Sequence, residues 1–264
     1  MFFDARSEFA ARFLAGDGLE IGALHLPLAM PDGARVSYVD RMPVEELRSE
    51  YAELADWDLT PVDVIDNGEL LTTVPEGSQD FIVANHFLEH CEDPIRAIGT
   101  HMGKLKPGGV LFYAVPDKRY TFDHRRPSTP LEHIVEDHER GPERSRREHY
   151  EEWARLVVAE EGESAEETIA NARELEASGY SIHMHVWTQA EFLKLILDCR
   201  DRLEQAFDIE AASRQGIEFI VVLRKAGPPP APPSSPPPPA GTNRWRRLLR
   251  RVVSRLRGPA SRAA

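Results

Sequence analysis

Apolar positions over the first 116 residues fall in short, nearly continuous bursts separated by stretches of helical period. GLEIGAL (18–24), ARVSYVD (34–40), PVDVID (61–66), DFIVAN (80–85) and GVLFYAVP (109–116) read as buried strands. Between them lie helical residues near 4–15, a helix opened by PVEEL (43–47) with proline in its first turn, and a helix over 91–104 closed by the KPGG turn at 106–109. Further on, Thr188 and Glu191 form a capping box that opens an apolar-periodic helix over 189–205. DIEAASRQ (208–215) and IEFIVVLRK (217–225) predict a closing hairpin. Strands alternating with helices at this spacing predict an α/β fold: an open, mostly parallel sheet of seven strands ending in an antiparallel one.

Two segments break the alternation. Residues 117–186 are polar, rich in His and Arg and partly helical, with a second capping box at Ser164 and Glu167. Their position after a central strand predicts a helical insertion that covers a ligand. Residues 226–241 hold nine of the 21 prolines, so the folded body is expected to span 1–225, with a proline-rich linker over 226–243 and a tail over 244–264. In the tail, Trp245, Leu248, Leu249, Val252, Val253 and Leu256 share one helical face among arginines. A basic amphipathic helix over 244–257 predicts docking on an anionic membrane surface.

Charge sharpens this division. The chain of 264 residues carries a net charge of −12, yet 244–264 contribute eight arginines and no acid, leaving 24 basic against 44 acidic residues before them. So acidic a body argues against nucleic acid as partner. No stretch reaches the ~20 apolar residues of a membrane span, the start MFFDARSEF lacks the apolar run of an export signal, and Cys91 and Cys199 are isolated, so a cytoplasmic, reduced protein is expected, peripheral to the inner membrane face at most.

Candidate chemistry gathers at strand ends. Glu20 and Gly22 close the first strand, where open α/β sheets bind ligands and glycine admits them to the backbone. Asp40 ends the second strand eighteen positions after Gly22, the spacing of an acid that accepts ribose hydroxyls. Asp66, followed by Asn67, ends the third.

GLEIGA, YVD, VDVIDNGE and the block DFIVANHFLEHCEDPIRAIGTHMGKLKPGGVLFYAVPD resemble the class I S-adenosylmethionine-dependent methyltransferases, the last block resembling their bacterial small-molecule branch. The resemblance covers about 18–116, more weakly 187–225, and departs from the family where Leu24 and the neighbourhood of Pro27 replace glycines. It implies a Rossmann-like fold and S-adenosylmethionine as cofactor, with Glu20 and Gly22 along the methionine, Asp40 on the ribose, Asp66 and the Asn67 backbone at adenine, Asn85 at the methionine amino group and His86 near the methyl. It also implies methyl transfer to a small-molecule or glycan acceptor, with oxygen favoured.

A hydroxyl acceptor needs a base, and His183 and His185 in SIHMHVWT fall on one face if the segment is extended, with His86 a third candidate. No metal ligand set is assigned; His133, Asp137 and His138 with the 183/185 pair are the residues weighed for one. Two other readings compete. His86-Phe-Leu-Glu89-His90 matches the H-x-x-E-H signature of inverted zinc peptidases, and a degenerate domain could bind S-adenosylmethionine only to recruit a partner.

Overall fold

The computed structural model describes residues 5–51, 54, 56–203 and 206–227. The linker and tail from residue 228 onward, including the 244–257 helix and its apolar stripe, lie outside the described residues.

Seven strands form one sheet: β1 (Gly16–Ile21), β2 (Ala34–Asp40), β3 (Val64–Ile65), β4 (Gln79–Asn85), β5 (Leu105–Pro116), β6 (Phe207–Gln215) and β7 (Glu218–Lys225), in the order β3-β2-β1-β4-β5-β7-β6. Pairings from β3 to β5 are parallel, whereas β7 is antiparallel to both β5 and β6. The closing hairpin therefore inserts the last strand between β5 and β6, one place in from the edge. β3 is shorter than the 61–66 burst suggests, and β5 is longer, absorbing the KPGG segment with Gly108 at φ +82°.

Strand alternation sends side chains to two apolar layers. Ile82, Ala84, Leu111, Tyr113, Val115, Val221 and Leu223 pack with α3 (Pro94–Lys104) and α7 (Gln189–Arg202) through Ile95, Ile98, Phe192 and Leu195. Phe81, Val83, Phe112, Ala114, Ile220 and Val222 face the opposite side, against Ala10 of α1 (Ala5–Phe13) and against Leu14 and Leu28. Asp93 caps α3 by accepting from the Arg96 amide at 2.9 Å, so the helix starts at Pro94, after a 3-10 turn at Leu88–His90.

The insertion carries α4 (Leu131–Arg140), α5 (Arg146–Trp153) and α6 (Ala165–Ser178), joined to a separate cluster of Tyr150, Trp153, Ala172, Ile182 and Met184. Both predicted capping boxes form. The 180–186 segment is not a strand; the isolated bridge to Asp117 comes just after it, at Trp187. A short helix α2 (Val44–Glu50) follows β2.

Candidate active site

The carboxyl ends of β1, β2 and β4 open into a cavity of about 280 Å³ lined by Gly22, Asp40, Asn67, His86, Phe87 and His90, among others. Gly22 has φ +67° and open space where a Cβ would stand, so its backbone is bare toward the cavity. Asp40 accepts from the Arg41 amide at 2.7 Å through one carboxylate oxygen, and burial raises its pKa above the ordinary value. Gly68 is packed so closely that a side chain would meet Ile21 and Phe87 within 2.8 Å. Asn67 spends its side-chain oxygen on the amides of Glu69 and Leu70, its own amide on Asp66 Oδ1 at 2.8 Å and its carbonyl on the amides of Leu70 and Leu71, so its backbone is committed to the loop that lines the cavity.

Three predicted contacts stand behind the wall rather than in it. Glu20 is 1% exposed and accepts the Leu28 amide at 2.9 Å, which folds the 22–28 loop back on β1. Burial pushes its carboxyl up to about 7 against the hydrogen bond from Leu28. Asn85 lies beside it with its amide atoms buried, and its side chain acts to lower the pKa of the Glu20 carboxyl. Asp66 is committed to its own loop, accepting from Thr72 Oγ1 at 3.0 Å and from both the amide and the hydroxyl of Thr73 at 2.7 Å. Burial alone would raise its pKa, but these bonds bring it down to about 2. Asp66 thus shapes the pocket floor and has no lone pair turned to adenine.

His86 sits at the mouth with φ +50°, a costly conformation for a β-carbon residue and one that clusters at functional sites. Its Nε2 lies 2.7 Å from Glu218 Oε2, and Arg6 pairs with the same carboxylate through both oxygens. Burial opposes the charge on Glu218, but the bonds from Arg6 and His86 hold its pKa near 2, so it is ionised. Glu218 gave no local signal in the sequence. It meets His86 because β7 threads beside β5.

The histidines of SIHMHVWT do not share a face toward this cavity. His183 Nδ1 lies 2.7 Å from Asp123 Oδ2, and its ring meets His90 edge-on at 4.7 Å. His185 is fully buried, with its ring against His149 and His133. Both are corrections to the alternation argument, which required an extended strand. His90, which the sequence offered only within the peptidase motif, lines the cavity, but burial and the neighbouring His183 push its pKa down to about 3. The peptidase motif also fails on geometry: three residues of 3-10 turn replace the helix that would align its two histidines, and His86 is committed to Glu218.

A second cavity of about 480 Å³ continues from the first, sharing Arg41, Asn67, Glu69, His90 and Ser181 with it. Arg96, Arg146, Glu92 and Tyr180 make its walls polar. Glu69, at the junction, has its carboxyl raised to about 7 by burial, against the pull of Arg96.

Residues 7–162, more than half of the chain, match the family model described as Methyltransferase domain. No curated protein matches the chain. Among solved structures, a Rhodobacter sphaeroides protein named as a zinc-dependent alcohol dehydrogenase is similar over 85% of this chain and 91% of its own, at 16% identity and a TM-score of 0.51. A SAM-dependent methyltransferase from Aquifex aeolicus is 12% identical over 84% of this chain and 89% of its own, with a TM-score of 0.45. One from Thermotoga maritima is 16% identical over 84% and 88%, with a TM-score of 0.43. At 16% identity the first of these likenesses is one of fold.

Proposed function

The chain belongs to the methyltransferase-domain family, with S-adenosylmethionine as its methyl donor, and from that premise we propose that it methylates a hydroxyl oxygen on a polar small molecule, glycan or glycolipid precursor. The residues fit the donor. Gly22 bares its backbone, and Asp40 keeps a carboxylate oxygen for the ribose diol. Bound there, S-adenosylmethionine supplies a methyl group already activated on a sulfonium.

The protein's part is then to place the acceptor and take its proton. His86 is the base in this reading. Its ring is oriented by an ionised carboxylate, as in other carboxylate–imidazole pairs, whereas His90 is too weak a base and His185 is sealed in the interior. The observation that carries the acceptor class is the second cavity, whose arginine and carboxylate walls suit a hydroxyl-rich or charged molecule. The arginines of 244–257 support an anionic membrane as a docking surface, as a lipid-linked acceptor would need. No described helix is long and apolar enough to cross a membrane.

The test incubates the protein and S-adenosylmethionine with sugars and with their amino counterparts, reading product mass. A methyl gained on the hydroxyl compounds supports the reading; a gain confined to amines ends it. His86→Ala should lower the rate by about 10²–10⁴-fold while S-adenosylhomocysteine binds as before.

A further inference from the structure

Within the insertion, away from the donor cavity, four side chains converge. His133 and Asp137 lie one turn apart on α4, His149 comes from α5, and His185 from the segment leading to α7. His133 Nε2 lies 3.1 Å from His149 Nε2 and 3.1 Å from Asp137 Oδ2, and His149 Nε2 lies 3.8 Å from that oxygen. The three imidazoles present ring nitrogens within 4.8 Å of one another. The 3.1–3.8 Å spacings among His133, Asp137 and His149 approach the ~3.3 Å edge of a tetrahedron with ~2.0–2.1 Å metal–ligand bonds, and His185 completes the set from within 4.8 Å of the other two imidazoles.

Two of the four donor atoms are orphaned. Asp137 Oδ2 and His185 Nδ1 are buried with no hydrogen-bond partner, although the first is at ion-pair distance from His133. His133 Nε2 and His149 Nε2 meet at hydrogen-bond distance, and the two unpartnered atoms lie in the same buried cluster. The other sides of the ligands are held as metal ligands usually are: Ser145 Oγ donates to Asp137 Oδ1 at 2.7 Å, His185 Nε2 lies 3.3 Å from the Glu92 carbonyl, and His149 is hydrogen-bonded to the Met184 backbone. His185 therefore carries its proton on Nε2 and keeps the Nδ1 lone pair free.

We propose that His133 Nε2, Asp137 Oδ2, His149 Nε2 and His185 Nδ1 bind one zinc ion. Three imidazoles and a carboxylate in a closed four-ligand set match zinc better than magnesium or calcium, which take oxygen. The ion ties α4 and α5 to the 181–185 segment, whose Ser181, Ile182 and Met184 form a wall of the second cavity. Of the residues weighed from sequence, His138 instead pairs with Asp93 at 3.0 Å and His183 with Asp123; His149 completes the set in their place. Glu89, His90 and His183 form another close group, but His90 Nδ1 is engaged with the Ile182 carbonyl and Ser181, and His183 Nδ1 with Asp123.

The test uses the full-length protein. Metal analysis should find one zinc per chain, with a fall in melting temperature after chelation that added zinc reverses. Cobalt added to the chelated wild type should give the intense visible bands of tetrahedral coordination, and zinc should abolish them. Ser145→Ala should weaken zinc binding about 10–100-fold, and Asp137→Asn more. Glu89→Gln should keep the metal. Absence of both zinc and the tetrahedral cobalt spectrum overturns the site, as does a metal lost in Glu89→Gln and retained in His149→Ala.

Discussion

Across the sheet the side chains with no exposure include Phe81, Ile82, Val83, Leu111, Phe112 and Val222; in the 117–186 insertion comparable places are taken by Arg126, Asp123 and His185, beside Trp153 and Ile182. Arg126 gives Nη1 to Asp123 at 3.0 Å and to the His183 carbonyl at 2.8 Å, Nη2 to the Met184 carbonyl at 3.2 Å, and Nε to Glu152 at 2.8 Å. The sheet is stabilised by area removed from water, a sum over many small terms. The insertion is stabilised by a few desolvated charges, each of which holds only while its partners remain. The first kind of interior tolerates conservative change, and the second fails abruptly.

The largest expected effect follows from that contrast. Arg126→Met leaves Asp123 charged and buried with His183 and the Thr121 hydroxyl alone to meet it, so stability should fall by about 3–5 kcal/mol, with hydrogen exchange rising first in the insertion. A variant as stable as wild type would break the comparison. Next comes its boundary, because the sheet's own mouth relies on an ion pair. Glu218 titrates near 2 when folded against 4.5 ordinarily, so its contribution is complete above about 4.5 and is lost as pH falls toward 2. Its side chain is 11% exposed, and the shift corresponds to about 3 kcal/mol. Glu218→Gln should be less stable by that order at neutral pH, and denaturant titrations of the two proteins should converge near pH 2. The smallest effect concerns Asp40, a strand-end acid that serves a ligand rather than the fold. Asp40→Ala should cost S-adenosylhomocysteine about 1.5–3 kcal/mol in calorimetry and leave the melting temperature in place.

The same division governs what could be read from residues alone. The strands are visible because Ile82/Ala84 and Phe81/Val83 alternate between two apolar layers, a local pattern that needs no knowledge of neighbours. That Gly22, Asp40 and Asn67 line one cavity was legible for a related reason, since parallel topology delivers consecutive strand ends to one crevice. Asp66 shared that logic, but its loop carries Thr72 and Thr73 within reach of the carboxylate, and they claimed it. Nothing local announces Glu218, Asp123 or His149. Each gains its role from a partner 132, 60 and 16 positions away, through strand insertion or helix packing. His183 and His185 were misread because alternation was assumed for a segment whose backbone is not extended in a ladder.

The placement of β7 also has a consequence during synthesis. β5 is complete at Pro116, yet the strand that covers its far edge ends at Lys225, roughly a hundred residues later. At ~5–20 residues per second, a translating ribosome leaves that edge uncovered for roughly 5–20 s. The waiting strand presents Val110 to Val115, apolar on both faces, with unpaired amides and carbonyls on its outer side. Until residues 218–225 emerge, the nascent chain is a sheet cut through its middle, and that interval is when another strand can pair there in their place.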